Sequence, residues 1–212
     1  MQIIPQRELF VSTNKAIINT LPRFVFNGKI VVIQSESEAI RAVQALRQST
    51  LLGIDTETRP AFKKGVTHKV ALLQICDGQV CFLFRLNQIG MPQCLVELLS
   101  DPSITKVGLS LKDDFLMLRH RQKFSPNGCI DIQHLVGDLG IKDMSLRKLF
   151  ANIFRQKISK NAQLSNWEAD VLTAAQQTYA ATDAYACILL YEALKLYSRH
   201  KNYTLIENEN RQ

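Results

Sequence analysis

The chain lacks any apolar run near the roughly 18 residues that a membrane-spanning helix needs, and its first residues lack the apolar centre of a secretory signal. No membrane partner is therefore expected. Cysteine is scarce: Cys76, Cys81, Cys94, Cys129 and Cys187 are odd in number, widely spaced and mostly inside apolar runs. This argues against a disulfide framework or a cysteine-ligated zinc site, and predicts reduced core thiols in a cytoplasmic protein. Histidine is no richer. His68, His120, His134 and His200 show no paired metal-ligand spacing, and the spacing of a calcium-binding loop is absent. Glycine and proline are scattered, so there is no linker, internal repeat or low-complexity stretch.

What remains is the composition of a soluble globular domain, 46% hydrophobic and 21% charged over 212 residues, enough for one full core. The formal net charge is +7, a balance that suits a polyanionic partner such as nucleic acid.

Residues 1–28 read as an N-terminal extension in which the spacing of Ala16, Ile17 and Leu21 allows a short helix ending before Pro22. A regular pattern then occupies 29–200. Ile30–Ile33 is a β-branched run, and Ser35-x-x-Glu38 is a capping box for a helix to about Gln48. Leu51–Glu57 is a strand. Lys69–Cys76 and Gln79–Phe84 form a hairpin across Asp77-Gly78. A helix near Pro92–Leu99 and a strand at Ile104–Leu109 follow. Helices are then expected near Leu111–His120, Ile132–Leu139, Ser145–Phe154 and Ala174–Arg199, the last behind a Thr173-x-x-Gln176 box, with 201–212 as a tail. The pattern is a mixed α/β sheet flanked by helices, with its first two long strands antiparallel.

Three anomalies break this apolar pattern. Asp55 and Glu57 share one face of a strand that otherwise reads as buried. Two acids so close repel each other and lose hydration, and a divalent cation compensates both effects. Asp183 lies on the apolar stripe Tyr179, Asp183, Cys187, Leu190, Leu194, Tyr197 of the last helix, one turn from Tyr179. Asp114 joins the stripe Leu111, Asp114, Phe115, Leu118, whereas Asp113 falls toward solvent as a first-turn acid favoured by the helix dipole. Each acid alone could be a solvated strand end or a core ion pair. Four acids converging would match two divalent cations about 3.5–4 Å apart, the arrangement for in-line phosphoryl displacement.

Asp55-Thr56-Glu57, then Val107-Gly108 through Asp114, then Tyr179-Ala180-Ala181-Thr182-Asp183 resemble, in order, the three motifs of the DEDD-type 3′–5′ exonucleases of the ribonuclease D and Werner-helicase exonuclease-domain family. Leu72-Leu73-Gln74-Ile75, Ser145-Leu146-x-x-Leu149 and Ser165-Asn166-Trp167 match as well, and the similarity runs from about Lys29 to Tyr197. The resemblance implies a ribonuclease H-like fold, a mixed five-stranded sheet with helices on both sides. It implies release of nucleoside 5′-monophosphates from the 3′ end of DNA or RNA with two divalent cations, Mg²⁺ or Mn²⁺. Asp55, Glu57 and Asp183 would hold the first metal. Asp55 would bridge to the second, Asp114 would hold that metal's water shell, and Tyr179, which sets the tyrosine subclass, would orient the attacking water.

Arg59, Lys63, Lys64, Lys112, Arg147 and Lys148 are candidate phosphate contacts, each equally readable as a solvated surface cation. Phe62 or Phe115 would be stacking platforms for a terminal base. Trp167 reads as a core anchor and Asp131 as a helix N-cap. Two other readings stay open: a nuclease fold kept as a nucleic-acid-binding module, and an endonuclease of the same broad fold.

Overall fold

A computed structural model describes residues 3–207. Residues 1–2 of the expected N-terminal extension and 208–212 of the expected tail lie outside the described residues. The chain opens with β1 (Glu8–Phe10) and α1 (Lys15–Thr20), then β2 (Lys29–Ile33), α2 (Glu36–Leu46), β3 (Leu51–Glu57), β4 (Leu72–Cys76) and β5 (Val80–Phe84). Next come α3 (Leu86–Ile89), α4 (Gln93–Ser100), β6 (Thr105–Gly108), α5 (Leu111–Arg119), β7 (Cys129–Asp131) and α6 (Ile132–Gly137). The last elements are α7 (Leu146–Phe154), α8 (Ala174–His200) and β8 (Thr204–Ile206).

The main sheet runs β2-β5-β4-β3-β6-β7, with β4 antiparallel to both neighbours and the other pairs parallel. It has six strands rather than five. The addition is β7, three half-buried residues that pair with Lys106–Gly108 and carry no alternation for a pattern to catch. The hairpin forms across Asp77-Gly78, where Gly78 has a φ of +97°. Both capping boxes close: Ser35 with Glu38 starts α2, and Thr173 with Gln176 starts α8.

Two hydrophobic layers cover the sheet. One is built on α6, α7 and α8, and holds Trp167, Phe150, Ala180, Ala184 and Leu190. The other is built on α2, α4 and α5, and holds Val43, Leu52, Ile54, Leu98 and Leu118. The face of β3 bearing Gly53, Asp55 and Glu57 turns to α8. A Cβ at Gly53 would stand 2.1 Å from the Ala184 carbonyl oxygen, so only glycine lets this helix lie on the strand. That close approach carries Asp183 to the two acids of β3.

The two ends of the described chain also meet. Residues 8–10 and 204–206 form a separate parallel pair. β1 is held to the body as well: Phe10 and Asn152 exchange two hydrogen bonds of 2.8 and 2.7 Å, Tyr197 Oη donates to the Gln6 carbonyl, and Leu9 is fully buried.

Candidate active site

Asp55, Glu57 and Asp183 come together at the end of β3 beneath α8, with one carboxylate oxygen of each within 4.8 Å of the others. Glu57 and Asp183 are buried and Asp55 half-buried. Strand alternation supplies the first two, and the inward stripe of α8 supplies the third. Asp114 stands apart from this trio. Its carboxylate accepts a hydrogen bond from the Thr56 hydroxyl, which projects from the other face of β3. Asp114 still feels the trio, since its charge helps raise the Asp55 carboxyl. Asp113 is exposed, as the stripe indicates.

Burial dominates the electrostatics. It pushes Asp55 well above the usual carboxylate range, with Asp114 and Asp183 adding repulsion. Glu57 is pushed up to about 10 by burial and then by Asp55, Asp183 and Asp114. Asp183 rises to about 7 through burial, opposed by a hydrogen bond from Tyr179. Asp114 rises to about 6 through burial, opposed by the Thr56 hydroxyl. Among the described residues no Lys, Arg or His forms an ion pair with the trio, and Asp183 Oδ1 is buried with no hydrogen-bond partner. A buried all-oxygen cluster that is short of positive charge and hydrogen-bond donors fits hard divalent cations.

Residues 30–197 match the protein family described as 3′–5′ exonuclease. The chain belongs to the 3′–5′ exonuclease family. A 3′–5′ exonuclease of Arabidopsis thaliana is 33% identical over 77% of this chain and 62% of its own length, so the chain spans less than two thirds of that relative. In fold it is similar to the Nibbler EXO domain of Aedes aegypti, with a TM-score of 0.76 at 17% identity over 85% of this chain and 94% of that one. Ribonuclease D of Trypanosoma brucei, solved in complex with RNA U12, gives a TM-score of 0.67 at 17% identity over 95% of this chain and 78% of that chain. The ribonuclease H-like architecture of the family thus holds here. Among the described residues no helix is long and apolar enough to cross a membrane.

Tyr179 is half-buried, faces Asp183, and packs its ring 6.0 Å from the fully buried Trp167, which is a core anchor as the sequence indicates. Arg147 and Lys160 line a 120 Å³ recess with Tyr179 and Asp183. Arg59 and Lys63 line a larger cleft. Lys148 is instead committed to the buried Asp143 at 2.8 Å, a structural pairing. Lys64 and Lys112 are exposed cations outside both recesses. Phe115 is not available for stacking: it is buried against Phe124 in the layer under α5. Phe62 is 82% exposed.

Sequence reasoning missed two members of this exonuclease-family site. Thr56 sits between the two acids of β3 and grips Asp114. Asp131 caps α6 through Gln133 N at 3.0 Å as expected, but it also accepts from Ser110 N at 3.1 Å and Leu111 N at 2.9 Å. Those amides open α5, and Ser110 adopts a left-handed φ of +62° there. One carboxylate thus fixes the turn that aims Asp114. Asp131→Ala is expected to destabilise the fold by about 1–2 kcal/mol, the scale of a lost cap. A denaturant melt retaining wild-type stability would remove Asp131 from this role.

Proposed function

We propose that the chain is a metal-dependent 3′–5′ exonuclease that hydrolyses the terminal phosphodiester of DNA or RNA and releases nucleoside 5′-monophosphates by a two-metal-ion mechanism. The observation that carries this reading is the buried trio Asp55, Glu57 and Asp183, whose oxygens lie within 4.8 Å with no cation paired to them among the described residues. The trio would hold one divalent cation. Asp55 would be shared with a second, and Asp114 would serve that second ion through water, consistent with its place beside rather than within the trio. When bound, Mg²⁺ or Mn²⁺ supplies an acidified water as nucleophile and charge stabilisation for the leaving 3′ oxygen.

The protein's own groups do the rest. Burial, with Asp183 and Glu57 nearby, pushes the Tyr179 hydroxyl far above its ordinary value, so it keeps its proton at neutral pH. Tyr179 therefore acts as a hydrogen-bonding group that orients water. Arg147 and Lys160, at the wall of the recess beside it, supply phosphate contacts. The basic net charge draws the polyanion in. Five free cysteines, three of them buried, support a reducing, cytoplasmic setting.

The direct test uses a 5′-labelled oligonucleotide, as DNA and as RNA, with Mg²⁺, Mn²⁺ or chelator. The expected result is a ladder that shortens from the 3′ end only with metal, and circular strands that stay intact. Cleavage of circles would indicate an endonuclease instead. Tyr179→Phe is expected to lower turnover about 10- to 150-fold, the range for a lost hydrogen bond to a charged partner. Wild-type turnover in that variant would end the positioning role.

A further inference from the structure

After β3 the chain builds a cleft of about 480 Å³ lined by Arg59, Phe62, Lys63, His68, Leu164 and Asn166, the size of a small-ligand site. Phe62 and Leu164 are 82% and 70% exposed, so apolar surface and cations line the same opening. Arg59 and His68 are already engaged by a carboxylate of the chain. Glu168, from the loop before α8, places Oε2 at 3.2 Å from Arg59 Nη1 and Oε1 at 3.4 Å from His68 Nδ1. It also attracts Arg121, whose Nε is held by the Val70 carbonyl at 2.6 Å.

We propose that Glu168 is an internal stand-in for a substrate phosphate: its carboxylate occupies Arg59 and His68 in the free protein, and a phosphodiester of the bound strand displaces it. The proposal rests on the nucleic-acid reading above and adds a residue that weakens binding by competition.

Three observations favour displacement over a structural tie. First, the backbone around Glu168 is secured without its carboxylate. The fully buried Arg85 donates to the carbonyls of Ala169 and, at 3.3 Å, Asp170; Gln88 donates to Asp170 O at 3.3 Å, and Asn87 to Glu168 O at 3.5 Å. Second, the Arg59 and Glu168 side chains are 46% and 28% exposed, and an ion pair so open to water is weak enough to yield. Third, one oxygen is offered to the Arg59 guanidinium and the other to His68 Nδ1, a pattern that the two non-bridging oxygens of a phosphodiester reproduce, and a guanidinium accepts either anion. Arg59 follows Glu57 by two residues in the chain, just past the end of β3.

The test is equilibrium binding of a fluorescent single-stranded oligonucleotide to the full chain in Ca²⁺, across a salt series, for wild type, Glu168→Gln, Arg59→Gln and the double variant. Glu168→Gln keeps shape and removes charge. It is expected to tighten binding about threefold to fivefold, on the scale of one exposed ion pair. The same phosphate contact forms in both proteins, so the log–log salt slope should stay unchanged while the affinity rises. Arg59→Gln should weaken binding, and adding Glu168→Gln to it should restore much less than it gains alone. Wild-type binding with no tightening in Glu168→Gln, or weakening, would overturn the displacement while leaving the nuclease reading intact. No binding by wild type at any salt, with no 3′ shortening, would overturn both.

Discussion

Asp55→Asn is expected to abolish hydrolysis and, at the same time, to make the metal-free protein harder to melt. The first effect follows from the position of Asp55, shared by both proposed metals. Losing metal stabilisation worth several kcal/mol at 1.36 kcal/mol per factor of ten lowers turnover by about 10³-fold or more. The second follows from burial. In the wild type this carboxyl is forced well above its ordinary range by desolvation and by Asp114 and Asp183, so keeping it at neutral pH strains the fold. Asparagine keeps the shape and removes the ionisation. Unfolding scans in chelator should show the variant melting several degrees above wild type at pH 7.5, with the gain vanishing near pH 4. A variant that is inactive and also less stable at pH 7.5 would place Asp55 in a structural network instead.

The second large expectation is that divalent cations stabilise the wild type strongly at neutral pH and hardly at all in acid. Asp183 and Asp114 are raised to about 7 and about 6, and Glu57 to about 10. Their unfolded values lie near 4. A carboxyl raised in the folded state contributes stability that is fully present below the unfolded value and is lost as pH rises through the folded one. The metal-free protein should therefore lose stability steadily from about pH 4, through about 6 and 7 for Asp114 and Asp183 and on toward about 10 for Glu57. Cations bind the ionised form and reverse the loss. At a hundredfold excess over Kd they contribute about 2.7 kcal/mol, or roughly 5–10 °C for a chain of this size. Thermal shifts with Mg²⁺ or Mn²⁺ against chelator should be large at pH 7.5 and small at pH 5. Equal shifts at both would mean that the ions bind elsewhere.

Much of this site was legible in the sequence because it is written in two local periods. Alternation on β3 put Asp55 and Glu57 on one face, and the stripe of α8 put Asp183 and Tyr179 on another buried face. Asp114 shows the limit of such reading. Its stripe showed correctly that it faces inward, but a helical period does not say which side of the sheet the helix covers. α5 lies on the side opposite α8, so Asp114 meets Thr56 rather than joining the trio. Phe115 is a different case, because its stripe position already implied the burial that the structure shows. β7 is too short to have a period. The second role of Asp131 and the salt-bridged position of Glu168 join segments far apart in sequence, and no spacing rule encodes such contacts.

The pairing of β1 with β8 has a kinetic consequence. Nearly the whole chain separates the two strands, so their contact carries a large loop-closure cost and should form late in folding. The two partners are not equally dependent on it. β1 keeps its Asn152 hydrogen bonds and the buried Leu9 when the pair opens, with Gln6 just before it held by Tyr197, whereas two of the three β8 residues, Thr204 and Leu205, are exposed. Amide exchange should then report a staggered edge: the β8 amides exchange at low opening free energy while Phe10, bonded to Asn152, stays protected with the body of the domain.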